Sequence, residues 1–132
     1  MSTIENDQEP VEAEEALSQV QGQLDGVRDT AASYPDAFVS PKLYQRYEAK
    51  ITALRWLAGH ADEAPVTKTP CSGVPSQAEV IREVRACRPI LFPGHRRGEP
   101  PEGIPSYAWL EWVQRTLHWS LGWLDEPHPA DG

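Results

Sequence analysis

Residues 106–124 read SYAWLEWVQRTLHWSLGWL, and the spacing within them decides the fold. Leu110, Val113, Leu117, Leu121 and Leu124 recur at three- and four-residue steps, so they form one stripe along a helix. Trp109, Trp112, Thr116, Trp119 and Trp123 form a second stripe, rotated by ~100°. Glu111, Gln114, Arg115 and His118 leave only a narrow polar face, which reads as solvent-facing. A helix this apolar must be buried on most of its circumference, within the chain or between subunits. Pro105-Ser106 supplies its start, and the residues after Asp125, with Pro127 and Pro129, read as a frayed tail.

Working back from that helix, residues 93–105 (PGHRRGEPPEGIP) are dense in turn formers and read as an irregular loop. Ser76-Gln77-Ala78-Glu79 is a capping box. It opens a short helix with Val80, Ile81, Val84 and Cys87 inward, and Pro89 is expected to stop that helix by Arg88. Ser40-Pro41 caps another helix with Tyr44, Tyr47, Ile51, Leu54 and Ala58 on one face, ending near Gly59. Pro10 suits a first helical position, and Ala13, Leu17, Val20, Leu24, Val27 and Ala31 form a seam that needs a partner surface. Gly22 and Gly26 weaken that helix. The prediction is therefore an all-α bundle of four helices, at 10–33, 41–60, 76–88 and 106–124. Residues 10–125 form one domain, between disordered tails at 1–9 and 126–132.

The chain has 132 residues, 12 Lys and Arg against 20 Asp and Glu, and a formal charge of −8. That charge is local. Residues 1–40 hold nine acids and the single base Arg28, whereas residues 41–132 are neutral. Within the neutral part, Arg82, Arg85, Arg88, Arg96 and Arg97 face only Glu83 in sequence, a basic stretch beside an acidic arm. The arm can fold back on Arg82–Arg97 or dock there on a neighbouring subunit. Two cysteines exclude a disulfide-dense scaffold, no apolar run is long enough to span a membrane, and the acidic start is unlike a signal peptide. A cytoplasmic setting is expected.

Sliding the chain by 63 residues pairs Tyr44 with Tyr107, Glu48 with Glu111, Leu54 with Leu117 and Trp56 with Trp119. Gly59 then meets Gly122, and Asp62-Glu63 meets Asp125-Glu126. Either duplication or shared helical composition produces such a match. On the first reading, Leu-x-Trp-x-x-Gly is a helix-end unit. The segment Leu54–Gly59, LRWLAG, followed by Pro65, resembles a pattern in small uncharacterised proteins of actinobacteria and their phages. Those proteins have no assigned activity, so the resemblance implies none. The second copy departs from the pattern at Ser120.

Cys71, Cys87, His60 and His95 are zinc-ligand types, but no C-x-x-C is present and the cysteines lie 16 apart. Neither a zinc site, nor a Cys71–Cys87 disulfide, nor any cofactor is expected. Cys71 lies in a Pro/Gly loop with nothing local to fix a base beside it, and no phosphate-cradling glycine motif is present. The chain is expected not to be an enzyme. The leading expectation is a non-catalytic binding or accessory protein, of phage type or self-associating as a homodimer. It would bind through Trp109, Trp112, Trp119, Trp123, Leu17 and Leu24. The alternative is nucleic-acid binding by phosphate contacts from Arg82, Arg85, Arg88, Arg96 and Arg97. Membrane-surface insertion is not expected, because the narrow polar face carries few bases.

Overall fold

Three serines set where helices begin. In a computed structural model describing residues 10–34, 36, 39–94, 98–123 and 125–131, each accepts a backbone amide from the turn it opens. Ser40 Oγ accepts from Lys42, Ser76 Oγ from Glu79 and Ser106 Oγ from Trp109, at 3.1–3.2 Å. Glu79 Oε1 accepts the Ser76 amide in return at 2.9 Å, which completes the capping box. The helices are α1 (Pro10–Ser33), α2 (Pro41–Leu57), α3 (Gln77–Leu91) and α4 (Tyr107–Leu121). Among the described residues there is no strand, only an isolated bridge between Glu63 and Pro70. The fold is a small all-α bundle.

The α2 and α4 helices end alike, earlier than their apolar stripes. Gly59 and Gly122 turn to φ +84° and +70°, conformations a side chain disfavours. The Gly59 amide donates to Trp56 O and the His60 amide to Arg55 O, at 3.0 and 2.8 Å. The Gly122 amide donates to Trp119 O and the Trp123 amide to His118 O, at 3.0 and 2.9 Å. Both ends are the same left-handed glycine cap.

The α3 helix does not stop at Arg88. It runs through Pro89 to Leu91, and the Phe92 amide closes it on Arg88 O at 2.8 Å. Pro89 removes one amide near the helix end, and both Pro89 and Arg85, four residues before it, are solvent-exposed. Leu91 is buried at 3% exposure, and its packing carries the last turn.

The helices pack in the order α1, α2, α4, α3. The α1 seam, Ala13, Ala16, Leu17, Val20 and Leu24, is buried, and its partner surface is α2 of the same chain. Leu54, Trp56, Leu110, Val113, Leu117 and Leu121 form the centre. On α3, Glu83 is fully buried and accepts the amides of Val66 and Thr67 at 2.9 Å and the Thr67 hydroxyl at 2.6 Å. That carboxylate ties the α2–α3 connection to the core side of α3.

Residues 125–131 do not fray as expected. They form a strap across α2 and α4, with Pro129 buried and Ala130 packed on the core. Lys50 Nζ donates to Pro129 O and Gln23 Nε2 to Ala130 O, both at 2.7 Å. His128 stands edge-on to Trp119, ring centroids 5.2 Å apart. The polar contacts come from α1 and α2, far away in sequence, where tail composition cannot reveal them. The expected tail at 1–9 lies outside the described residues, as do Arg96, Arg97 and His95.

Candidate functional site

The apolar residues expected to meet a partner serve the chain's own core. Leu17, Leu24, Trp109 and Trp119 are buried, while Trp112 and Trp123 are half-buried. The large apolar side chains exposed among the described residues are Tyr34, Val74 and Phe92. Of these, Phe92 lies beside a groove.

That groove runs between α3 and α4 and encloses about 570 Å³. Val84, Arg85 and Arg88 line it from α3, Gln114 and His118 from α4, and Phe92 and Trp123 from just beyond the two helix ends. Arg85 and Arg88 are three residues apart, one turn of helix, so both guanidinium groups reach the same wall. Phe92 is 70% exposed, because α3 has closed on Arg88 O and leaves no further turn to cover it.

His118 is half-buried here, not solvent-facing as its place in the sequence implies. Burial lowers its pKa from the ordinary histidine value, against an opposing pull from Glu126. The imidazole is thus largely neutral at pH 7, and its ring centroid lies 5.9 Å from that of Trp123. At neutral pH the positive charge of the groove comes from its two arginines.

The basic stretch is divided by the fold. Arg82 lies 3.9 Å from Glu83 and 4.0 Å from Glu79, so its charge is partly answered at home. Arg85 and Arg88 enter the groove. The acidic α1 helix packs on α2 and not on this surface.

A second cavity, of about 560 Å³, lies between α1 and α2. Asp25, Arg28 and Glu48 among its lining residues mix both signs of charge, unlike the groove, whose charged lining residues are arginines. Cys71 and Cys87 are free thiols. Burial first, and then the Glu83 carboxylate, push Cys87 up to about 12, so it stays a thiol. Among the described residues no Ser, Thr or Cys is hydrogen-bonded to a histidine, and no three His, Cys, Asp or Glu side chains gather in a metal-ligand group. No helix there is long and apolar enough to cross a membrane.

No family model, curated protein or solved structure matches this chain. The groove is therefore read on its own chemistry. Its apolar floor and two adjacent guanidinium groups suit a ligand that is anionic beside an apolar anchor. Phe92, Gln114, His118 and Val84 were not among the sequence-derived candidates. The available signal was a pair of four-residue steps, Val84 to Arg88 and Gln114 to His118, on helices whose facing was unknown.

Proposed function

We propose that the chain is a non-catalytic binding module that docks a partner protein in the α3/α4 groove. The docked segment carries acidic side chains next to an aromatic or aliphatic anchor. The observation that supports this reading is the meeting of Arg85 and Arg88 with Phe92 and Trp123 in one groove. Guanidinium groups take carboxylates in paired hydrogen bonds, and exposed aromatics fill an interface centre at low entropic cost. Nucleic acid is the less favoured occupant, because Arg82 stands between two carboxylates, which breaks the run of arginines that a phosphate backbone would follow.

The test is fluorescence anisotropy with two labelled probes of equal length, an acidic peptide with interspersed Phe and Leu, and single-stranded DNA. Saturable peptide binding that weakens about tenfold in Arg85→Gln, Arg88→Gln and Phe92→Ala supports the reading. Preferential DNA binding with a steep salt dependence transfers the groove to nucleic acid. Peptide binding unchanged by all three substitutions overturns the groove as the site.

A further inference from the structure

On α1, Asp25 and Asp29 lie one turn apart and both are exposed. Among the described residues neither meets a Lys, Arg or His within 4 Å. Arg28, between them in sequence, lines the α1/α2 cavity beside Glu48. Gly22 and Gly26 leave the same stretch of helix without side chains, and nothing lies within 4 Å of a Cβ built on either. Among the described residues no packing contact offsets what those glycines cost the helix. Tyr34, 66% exposed, follows the last turn, its amide donating to Thr30 O at 3.0 Å. On α3, Arg85 and Arg88 are likewise one turn apart and exposed, with no carboxylate within 4 Å among the described residues. Phe92 follows them at 70% exposure. We propose that the α3/α4 groove takes the outer face of α1 from a second copy of this chain, with Asp25 and Asp29 against Arg85 and Arg88. The proposal rests on the groove being a docking site for an acidic segment, and it names that segment.

The match goes beyond the sign of the charges. The 63-residue offset that pairs Gly59 with Gly122 also lays Arg88 on Asp25 and Val84 on Gln21. Gln21 and Asp25 line the cavity of the α1–α2 hairpin, and Val84 and Arg88 line the groove of the α3–α4 hairpin. The two outer helices thus carry opposite charge at the same place in their hairpins. Within one chain α1 packs on α2 and α3 on α4, so the complementary pairs are left for a second copy. Two guanidinium groups and two carboxylates at one-turn spacing can form two paired-bond contacts at once. The exposed aromatics at the two helix ends supply apolar surface that excludes water from them. At physiological salt, screening over about 8 Å removes most of the long-range repulsion between two chains at −8 and leaves these short contacts.

Analytical ultracentrifugation of the full chain, from micromolar to millimolar concentration, tests this contact. Concentration-dependent association is expected. It weakens at least about tenfold in Asp25→Arg with Asp29→Arg, and equally in Arg85→Asp with Arg88→Asp. Mixing those two variants restores association, because the intact acids of one meet the intact arginines of the other. Damage to the fold cannot produce that result. Wild type that stays monomeric up to millimolar concentration overturns the proposal. If the acidic peptide still binds in the groove of that monomer, the docking reading stands and only its partner changes. Association unmoved by both charge reversals, or not restored by mixing, also overturns the contact.

Discussion

Thr67 gives both its backbone amide and its hydroxyl to the carboxylate of Glu83, at 2.9 and 2.6 Å, and Glu83 is fully buried. With the Val66 amide, three donors converge on one carboxylate, so the turn at 66–67 is held by a single side chain sixteen residues away. Truncation leaves the buried Val66 amide without its acceptor, while the Thr67 donors, on an exposed residue, turn to water and to Thr69. Glu83→Ala is expected to cost about 3 kcal/mol in urea unfolding, and Glu83→Gln somewhat less, since its amide keeps one acceptor oxygen. Thr67→Val removes one bond of the set and costs about 1 kcal/mol.

The glycines of α1 and of the α2 end respond in opposite directions. Nothing lies within 4 Å of a Cβ built on Gly22 or Gly26, and both are helical. Gly22→Ala and Gly26→Ala are each expected to raise stability by about 0.5–1 kcal/mol. A Cβ on Gly59 meets Gly73 C and Val74 N at 3.1 Å, at φ +84°. Gly59→Ala is expected to lower stability by about 2 kcal/mol, read as a falling midpoint in thermal melts.

Lys50 makes stability rise with pH. Its folded-state pKa lies near 8, below the unfolded 10.5, so between those values the unfolded chain binds more protons than the folded one. Folding gains free energy as pH climbs through that window, and the burial cost of the charge is present in full below pH 8. A tenfold difference in proton affinity between the two states is worth about 1.4 kcal/mol. Relative to Lys50→Met, the wild type is therefore expected to gain on the order of 2–3 kcal/mol between about pH 7.5 and 10.5. Parallel pH profiles for the two proteins would contradict the assignment.

Cys87 acts in the other direction, and later. Raised from 9.0 to about 12, it stays protonated in the folded chain while its unfolded counterpart ionises, so it subtracts stability above pH 9. Cys87→Ser is expected to remove that loss, at the cost of a buried hydroxyl. In native alkylation followed by mass spectrometry, the half-buried Cys71 reacts first, and Cys87 reacts only as the chain unfolds.

What could be read from the sequence was local. Ser40, Ser76 and Ser106 announce helix starts because a cap needs only the next turn, and Gly59 announces an end for the same reason, whereas the apolar stripe carries the expected last helix past Gly122 to 124. The buried stripes of α1 and α4 were legible from periodicity alone. Neighbour choice was not: a seam at Ala13–Leu24 fits a partner protein as well as it fits α2. Glu83 is the clearest case. It counts as one acid in an arginine-rich helix, and only the loop folded over α3 turns it into a buried acceptor. The groove was half legible. Arg85 and Arg88 were visible as charge, but their pairing with Phe92 and Trp123 depends on the α3–α4 contact and on Pro89 failing to end its helix. The strap was hidden because its anchors, Gln23 and Lys50, lie on helices that sequence cannot align with the last residues.

The packing order α1, α2, α4, α3 puts the helix richest in carboxylates and the helix carrying Arg82, Arg85 and Arg88 on the two outer positions. Charge separated in that way gives the molecule an electrical polarity. A highly charged partner approaching through solution feels a torque before it touches anything, which turns the arginine side toward an anion. Association rates are then set by orientation at a distance as much as by the fit of the surfaces, and salt slows encounter more than it speeds escape.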